Sequence, residues 1–274
     1  MRTHRTLLSL TLLGLFSCSS APPEPLAEAD LSEVRALVDQ GEWNKAWSEL
    51  NGLDREDFDR LSQGSFSLLA GDVAYKIGAY DKAIKHYEEF LLFEGPSVDT
   101  QRVVERLFEM GVALLQGDEK VLGLFTDKSR GVTTLHNLAA WAPFSPLAAE
   151  ALARVGEYHY TSRMLNEAAE DYSLILRNHP HSEWADLATY RLAMCRYLQI
   201  DGPEIDGQLI LSALDQLKHY LDQFPSGLYR REAQETKQHL EELAAGHELD
   251  VGDYYREIDN IPGARFHYEK ARKW

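Results

Sequence analysis

Few side chains in this sequence are equipped for bond-making chemistry. There are two cysteines, Cys18 and Cys195, and ten histidines. Cys195 lies between Leu192, Met194 and Tyr197 in a helical pattern. A nucleophilic thiol needs solvent access and a basic neighbour that lowers its pKa. Arg196 adjoins it in sequence but projects from another helix face, so Cys195 reads as a small buried hydrophobe. His179-Pro180-His181 invites a metal reading, but the proline bend holds the imidazoles apart and no third ligand joins them. His247-Glu248 lacks the second histidine of a zinc helix, and the sequence contains no Cys-x-x-Cys pair, phosphate loop or Gly-x-Ser-x-Gly elbow. The expectation is a chain with no catalytic residue, no metal and no cofactor.

Cys18 is different. Arg2 and Arg5 precede an apolar stretch from Leu7 to Phe16, with no acidic residue before position 18. A basic start followed by a short apolar run is a secretory signal, too short to span a bilayer. Leu15-Phe16-Ser17-Cys18 resembles a bacterial lipobox, with Phe16 departing from its small residue. The resemblance implies removal of residues 1–17 and acylation of Cys18. Several acyl chains would anchor the protein without a membrane-spanning helix. An ordinary secreted protein and a retained anchor are the alternatives. Ser19, where an aspartate would favour inner-membrane retention, favours the periplasmic face of the outer membrane. Residues 18–30, rich in proline, read as a lipidated tether, about 20 Å long as a coil and about 37 Å as polyproline II.

Loss of Arg2 and Arg5 with the signal takes the formal charge from −16 to −18. An acidic chain repels nucleic acid, so no nucleic-acid partner is expected. With Cys18 acylated, no intramolecular disulfide can form, and stability must come from packing.

The elements that would position any site are repeats. Residues 69–91 and 152–180 share small residues at Gly71 and Gly156, then at Ala83 and Ala168, with Tyr87 and Tyr172 one helical turn later. That is the tetratricopeptide pattern of two antiparallel helices in about 34 residues. Weaker copies include Gly41, Trp43 and Ala46; Gly111 with a helix B over 131–146; 190–199 with 211–227; and Gly252 with Ala264. The expected fold is all-α, a tetratricopeptide-repeat α-solenoid whose six or so helix pairs stack into a right-handed superhelix. N-terminal repeats are expected over 31–95 and a second repeat region over 96–274. One long helix is expected over 229–258, packed by Tyr254 and Tyr255, and no sheet is expected.

In such units the inner side of helix A lines a groove. Four residues beyond the small position stand Tyr75, Tyr160 and Tyr197, with Tyr190, Met194 and Glu157 nearby. Tyrosine combines apolar area with a polar tip, so this row could hold an extended segment rich in aromatic side chains. The competing reading is that these tyrosines pack helix against helix.

The segment His247-Glu248-Leu249, Val251-Gly252, Tyr254-Tyr255 and Gly263-Ala264 resembles the hallmark of the BamD family of outer-membrane lipoproteins. Residues 143–152 and 224–227 are similar to its repeat junctions. The resemblance implies a non-catalytic subunit of the β-barrel assembly machinery. Its C-terminal repeats would bind the barrel-assembly pore protein, and its N-terminal repeats would recognise unfolded outer-membrane proteins. It makes Arg256, Arg265 and His267 the candidates for the partner face, with His267 standing where the family commonly has arginine. The family commonly continues through another repeat where this sequence reaches Trp274. A periplasmic scaffold coordinating envelope maintenance or peptidoglycan synthesis is the alternative.

Overall fold

The computed structural model describes residues 25–92, 98–117, 127–200 and 207–274. The signal segment, Cys18, most of the tether and parts of the loops at 118–130 and 200–208 lie outside the described residues. Among the described residues twelve α-helices form six successive antiparallel pairs. They are α1 (Ser32–Asp39) with α2 (Trp43–Leu50), α3 (Gln63–Lys76) with α4 (Tyr80–Leu91), and α5 (Val98–Gln116) with α6 (Lys128–Trp141). The series continues with α7 (Pro146–Thr161) and α8 (Leu165–Asn178), α9 (Ala185–Tyr197) and α10 (Gly207–Gln223), and α11 (Arg230–Glu257) and α12 (Ile261–Ala271). Each helix packs on the next, and the buried side chains run from pair to pair. This is the all-α repeat architecture that the spacing predicts. No strand occurs among the described residues, where one isolated bridge joins Leu26 and Phe58.

A close contact recurs inside the pairs. A Cβ on Gly71 would lie 2.6 Å from the Tyr87 ring, one on Gly156 2.8 Å from Tyr172, and one on Gly252 2.6 Å from Tyr268. The small residue of helix A is therefore a seat for a ring from helix B. In the third pair Gly111 seats Leu135 at 2.8 Å. The turns repeat as well. Gly41, Gly78, Arg163 and Asp259 all have positive φ, and each stands two residues before its helix B. The left-handed conformation turns the chain, and Arg163 and Asp259 hold it despite the Cβ penalty.

Two boundaries differ from expectation. Helix B of the third pair ends at Trp141, not 146. Pro146 instead opens α7, where a missing N–H costs nothing, and the Ser145 hydroxyl caps it by accepting from the Leu147 N–H at 3.2 Å. The expected long helix is present as α11, but Tyr254 does not pack it: that side chain is 59% exposed. Tyr255 alone turns inward, against Gly263 and in stacking contact with His267.

Gly156→Ala forces a methyl into a fully buried ring, and overpacking of this kind costs about 1–3 kcal/mol. Its urea midpoint should fall. Gly246→Ala, mid-helix with nothing within 4 Å of the added Cβ, should stabilise the fold by about 0.5–1 kcal/mol and raise the midpoint. Equal midpoints for the two variants would contradict the seating role.

Candidate functional site: an aromatic row along the helix A face

Each seated tyrosine ends on a carboxylate one residue after the seating glycine. The Tyr87 hydroxyl donates to Asp72 Oδ1 at 2.8 Å, Tyr172 to Glu157 Oε1 at 2.7 Å, and Tyr268 to Asp253 Oδ1 at 2.6 Å. A buried hydroxyl needs such a partner. The third pair shows the converse, since its seated residue is Leu135, without a hydroxyl, and Val112 stands where the acid would be.

An arginine from the following pair completes two of these sites. Arg106 Nη1 donates to Asp72 at 2.5 Å and also to the Tyr87 hydroxyl. Arg102 donates to the other Asp72 oxygen at 3.0 Å. Arg191 takes Glu157 with two donors, Nε at 2.6 Å and Nη2 at 3.1 Å. Burial works against the Arg191 charge, but the Glu157 hydrogen bonds and their Coulomb attraction outweigh it and raise its pKa. Burial, reinforced by the carboxylates, also raises the pKa of Tyr87 and Tyr172. Both remain neutral hydrogen-bond donors at physiological pH.

The guanidinium faces then serve the aromatic row. Arg106 lies 4.6 Å from the centre of the Tyr75 ring, and Arg191 lies 4.4 Å from that of Tyr160. Cation–π contact of this kind holds a ring in place at little entropic cost. Tyr75 and Tyr160 are thus half-buried rings on fixed cationic supports, one in the second pair and one in the fourth. Tyr197 is half-buried with its edge against His239, and Met194 packs beside it on the core of the fifth pair. Tyr190 does not line an open surface. It is 6% exposed and stacks flat on Tyr229, with centroids 4.6 Å apart, because α11 closes over it. Glu157 is committed to Tyr172 and Arg191, which makes it a positioning group.

Arg106 and Arg191 escaped the sequence reading. Their signal was present as spacing: Asp72 to Arg106 and Glu157 to Arg191 each span 34 residues, one repeat period.

The expected partner-face residues lie together on the last pair but in unlike settings. Arg265 is exposed and paired with Glu269, while Arg256 is paired with Asp253. His267 is mostly buried, with Nδ1 2.7 Å from Glu248 Oε2, and Lys270 takes the other oxygen at 2.5 Å. Burial alone would raise the pKa of Glu248, but its hydrogen bonds to Lys270 and His267 lower it. Cys195 is fully buried, and that burial pushes its thiol up to about 12, so it is protonated at neutral pH. Among the described residues no helix is long and apolar enough to cross a membrane.

Residues 124–262 match the model of the YfiO family, described as outer membrane lipoprotein. The chain belongs to the YfiO family. The match opens within the third pair and closes inside α12, so it takes in the Glu157–Arg191 site, the long helix and Glu248. No curated protein matches the chain. Among solved structures, the apo form of RapI aligns over 90% of this chain and 94% of its own at 14% identity, with a TM-score of 0.34. Tyr75, Asp72 and Arg106 precede the matched segment and repeat the arrangement found inside it.

Arg191→Met should destabilise this YfiO-family chain by about 1–2 kcal/mol, the value of a charge-assisted pair discounted for the partial exposure of Glu157. A cycle with Glu157→Gln should show that the two losses are not additive. Glu248 supplies a pH test. Its pKa is depressed below the ordinary 4.5, so its contribution is complete above that value and is lost as pH falls through the folded-state pKa. The urea midpoint of wild type should therefore exceed that of Glu248→Gln at pH 7, and the gap should close on acidification below 4.5. A gap independent of pH would remove the role assigned to the carboxylate.

Proposed function

We propose that this protein is a non-catalytic scaffold of the outer-membrane β-barrel assembly machinery, anchored by acyl chains on Cys18 and facing the periplasm. Membership of an outer-membrane lipoprotein family supports the compartment. The observation that carries the binding role is the row of half-buried tyrosines, two of them on arginine supports and the third against His239. Tyr75, Tyr160 and Tyr197, with Met194, offer rigid apolar area to an extended client segment. Glu157 holds Arg191 behind Tyr160, and Tyr190 forms the wall beneath the row. An unfolded outer-membrane protein supplies such a segment in its C-terminal strand, which is extended and rich in aromatic side chains. The last helix pair, through the exposed Arg256 and Arg265, takes the barrel-assembly pore protein, and His267, held by Glu248, keeps that pair together. The acidic balance of the chain leaves membrane attachment to the lipid on Cys18 and gives nucleic acid no purchase.

Tyr160→Ala combined with Tyr197→Ala should weaken binding of a C-terminal barrel-strand peptide by about tenfold, the loss of one to two kcal/mol of aromatic contact. Calorimetry on the folded variant checks it, and unchanged affinity would remove the groove from the reading. Cys18→Ser should move the protein from the membrane to the soluble periplasmic fraction. Persistence of that variant in the membrane would sink the lipid anchor.

A further inference from the structure

In a stack of antiparallel pairs the turns alternate between two edges. One edge carries the turns inside pairs, at Gly41, Gly78, Ser162-Arg163 and Asp259-Asn260. The other carries the turns that hand one pair to the next. Among the described residues the three most exposed large hydrophobic ones, Leu61 at 94%, Phe144 at 95% and Leu228 at 83%, all stand on the hand-over edge. Single exposed apolar residues are ordinary on a protein surface. Ile258 and Ile261 stand on the other edge at 54% and 57%, but the hand-over edge holds the three highest exposures and also receives the N-terminal segment. The Leu26 N–H donates to the Asp57 carbonyl at 2.7 Å, and the Leu26 carbonyl accepts from the Asp59 N–H at 2.7 Å. The Asp59 carboxylate in turn holds the Leu61 N–H at 2.8 Å. The chain therefore reaches the folded body within a few residues of Leu61. From Cys18 to Pro25 there are seven peptide steps, so whatever their conformation the span cannot exceed about 25 Å.

We propose that the hand-over edge faces the lipid bilayer, with Leu61 and Phe144 seated in the interfacial layer, so that the solenoid lies along the membrane instead of projecting from it. The inference rests on the reading of Cys18 as the lipid anchor and adds an orientation to it. The tether joins the folded body at this edge, beside Leu61, and so brings this edge to the membrane first. Phe144, two pairs further on, makes a second contact, and two weak membrane contacts acting together hold where one does not. Arg60, exposed beside Leu61, can meet lipid phosphate. Among the described turns of the opposite edge, those at Gly41, Gly78 and Ser162-Arg163 carry no exposed large hydrophobic residue, and the one at Asp259-Asn260 is flanked by Ile258 and Ile261 at 54% and 57%.

The test uses the lipidated full chain in vesicles of phosphatidylethanolamine and phosphatidylglycerol. An environment-sensitive thiol probe is placed by Leu61→Cys, Phe144→Cys or, on the opposite edge, Ser162→Cys. Acylation occupies Cys18, and the buried, protonated Cys195 stays unlabelled. Flotation is measured first. Quenching by lipids brominated near the top of their acyl chains, which needs close contact at the depth where interfacial side chains sit, should then be at least about threefold greater at Leu61 and Phe144 than at Ser162. Both probes quenched and Ser162 silent supports the orientation. Flotation with Phe144 quenched no more than Ser162 overturns the orientation and leaves the anchor standing. Failure to float overturns the anchor and the orientation with it.

Discussion

The ring of helix B resting on the glycine of helix A is the contact on which the rest of the protein depends. It brings two helix axes close enough for a buried tyrosine to span them. The hydroxyl at the end of that ring then needs an acceptor, and the carboxylate next to the glycine supplies it. A carboxylate so placed needs a cation, and the following pair delivers an arginine. One steric fit thus generates a polar link between successive pairs. The third pair supports this order of causes. Where Leu135 replaces tyrosine, Val112 replaces the acid.

The link also explains why tyrosines can be offered outward without collapsing into the core. Arg106 and Arg191 are fixed by Asp72 and Glu157 on one side and present their flat faces to Tyr75 and Tyr160 on the other. A solenoid has little long-range packing, since each pair touches only its neighbours. Rigidity along the aromatic row must therefore come from contacts between adjacent pairs. Polar links at the A-helix face provide it where an apolar core cannot reach. The last pair modifies the scheme. Arg256 stands four residues after Gly252, in the place of a groove tyrosine, and pairs with Asp253 from its own helix.

Glu248 and Tyr255 give the last pair a second fastening. Glu248 draws His267 and Lys270 of α12 onto α11, and the His267 ring stacks on Tyr255. This fastening consumes the imidazole nitrogen that faces the helix interface, while Arg265 and Arg256 stay exposed in surface pairs. Residues of one expected partner face thus divide into a buried structural member and two accessible cations. Sequence spacing could not separate Arg265 from His267 along α12, because burial there depends on where α11 lies.

The sequence by itself determined the repeat. Small residues at Gly71, Gly156 and Gly252, large ones sixteen residues later, and left-handed turn positions at Gly41 and Gly78 are local requirements, and each leaves a mark on residue type. The long helix from Arg230 was legible because no proline interrupts it and only Gly246 and Gly252 weaken the pattern. Only the tertiary structure decided which tyrosines are surface and which are wall. Tyr190 and Tyr160 have the same chemistry and both belong to an A helix, but α11 covers one and Arg191 supports the other. It also decided that Tyr254 faces solvent while its neighbour packs. Periodicity reports which side of a helix is apolar; what lies against that side is set by elements distant in the chain. Burial, pairing and exposure are properties of that meeting.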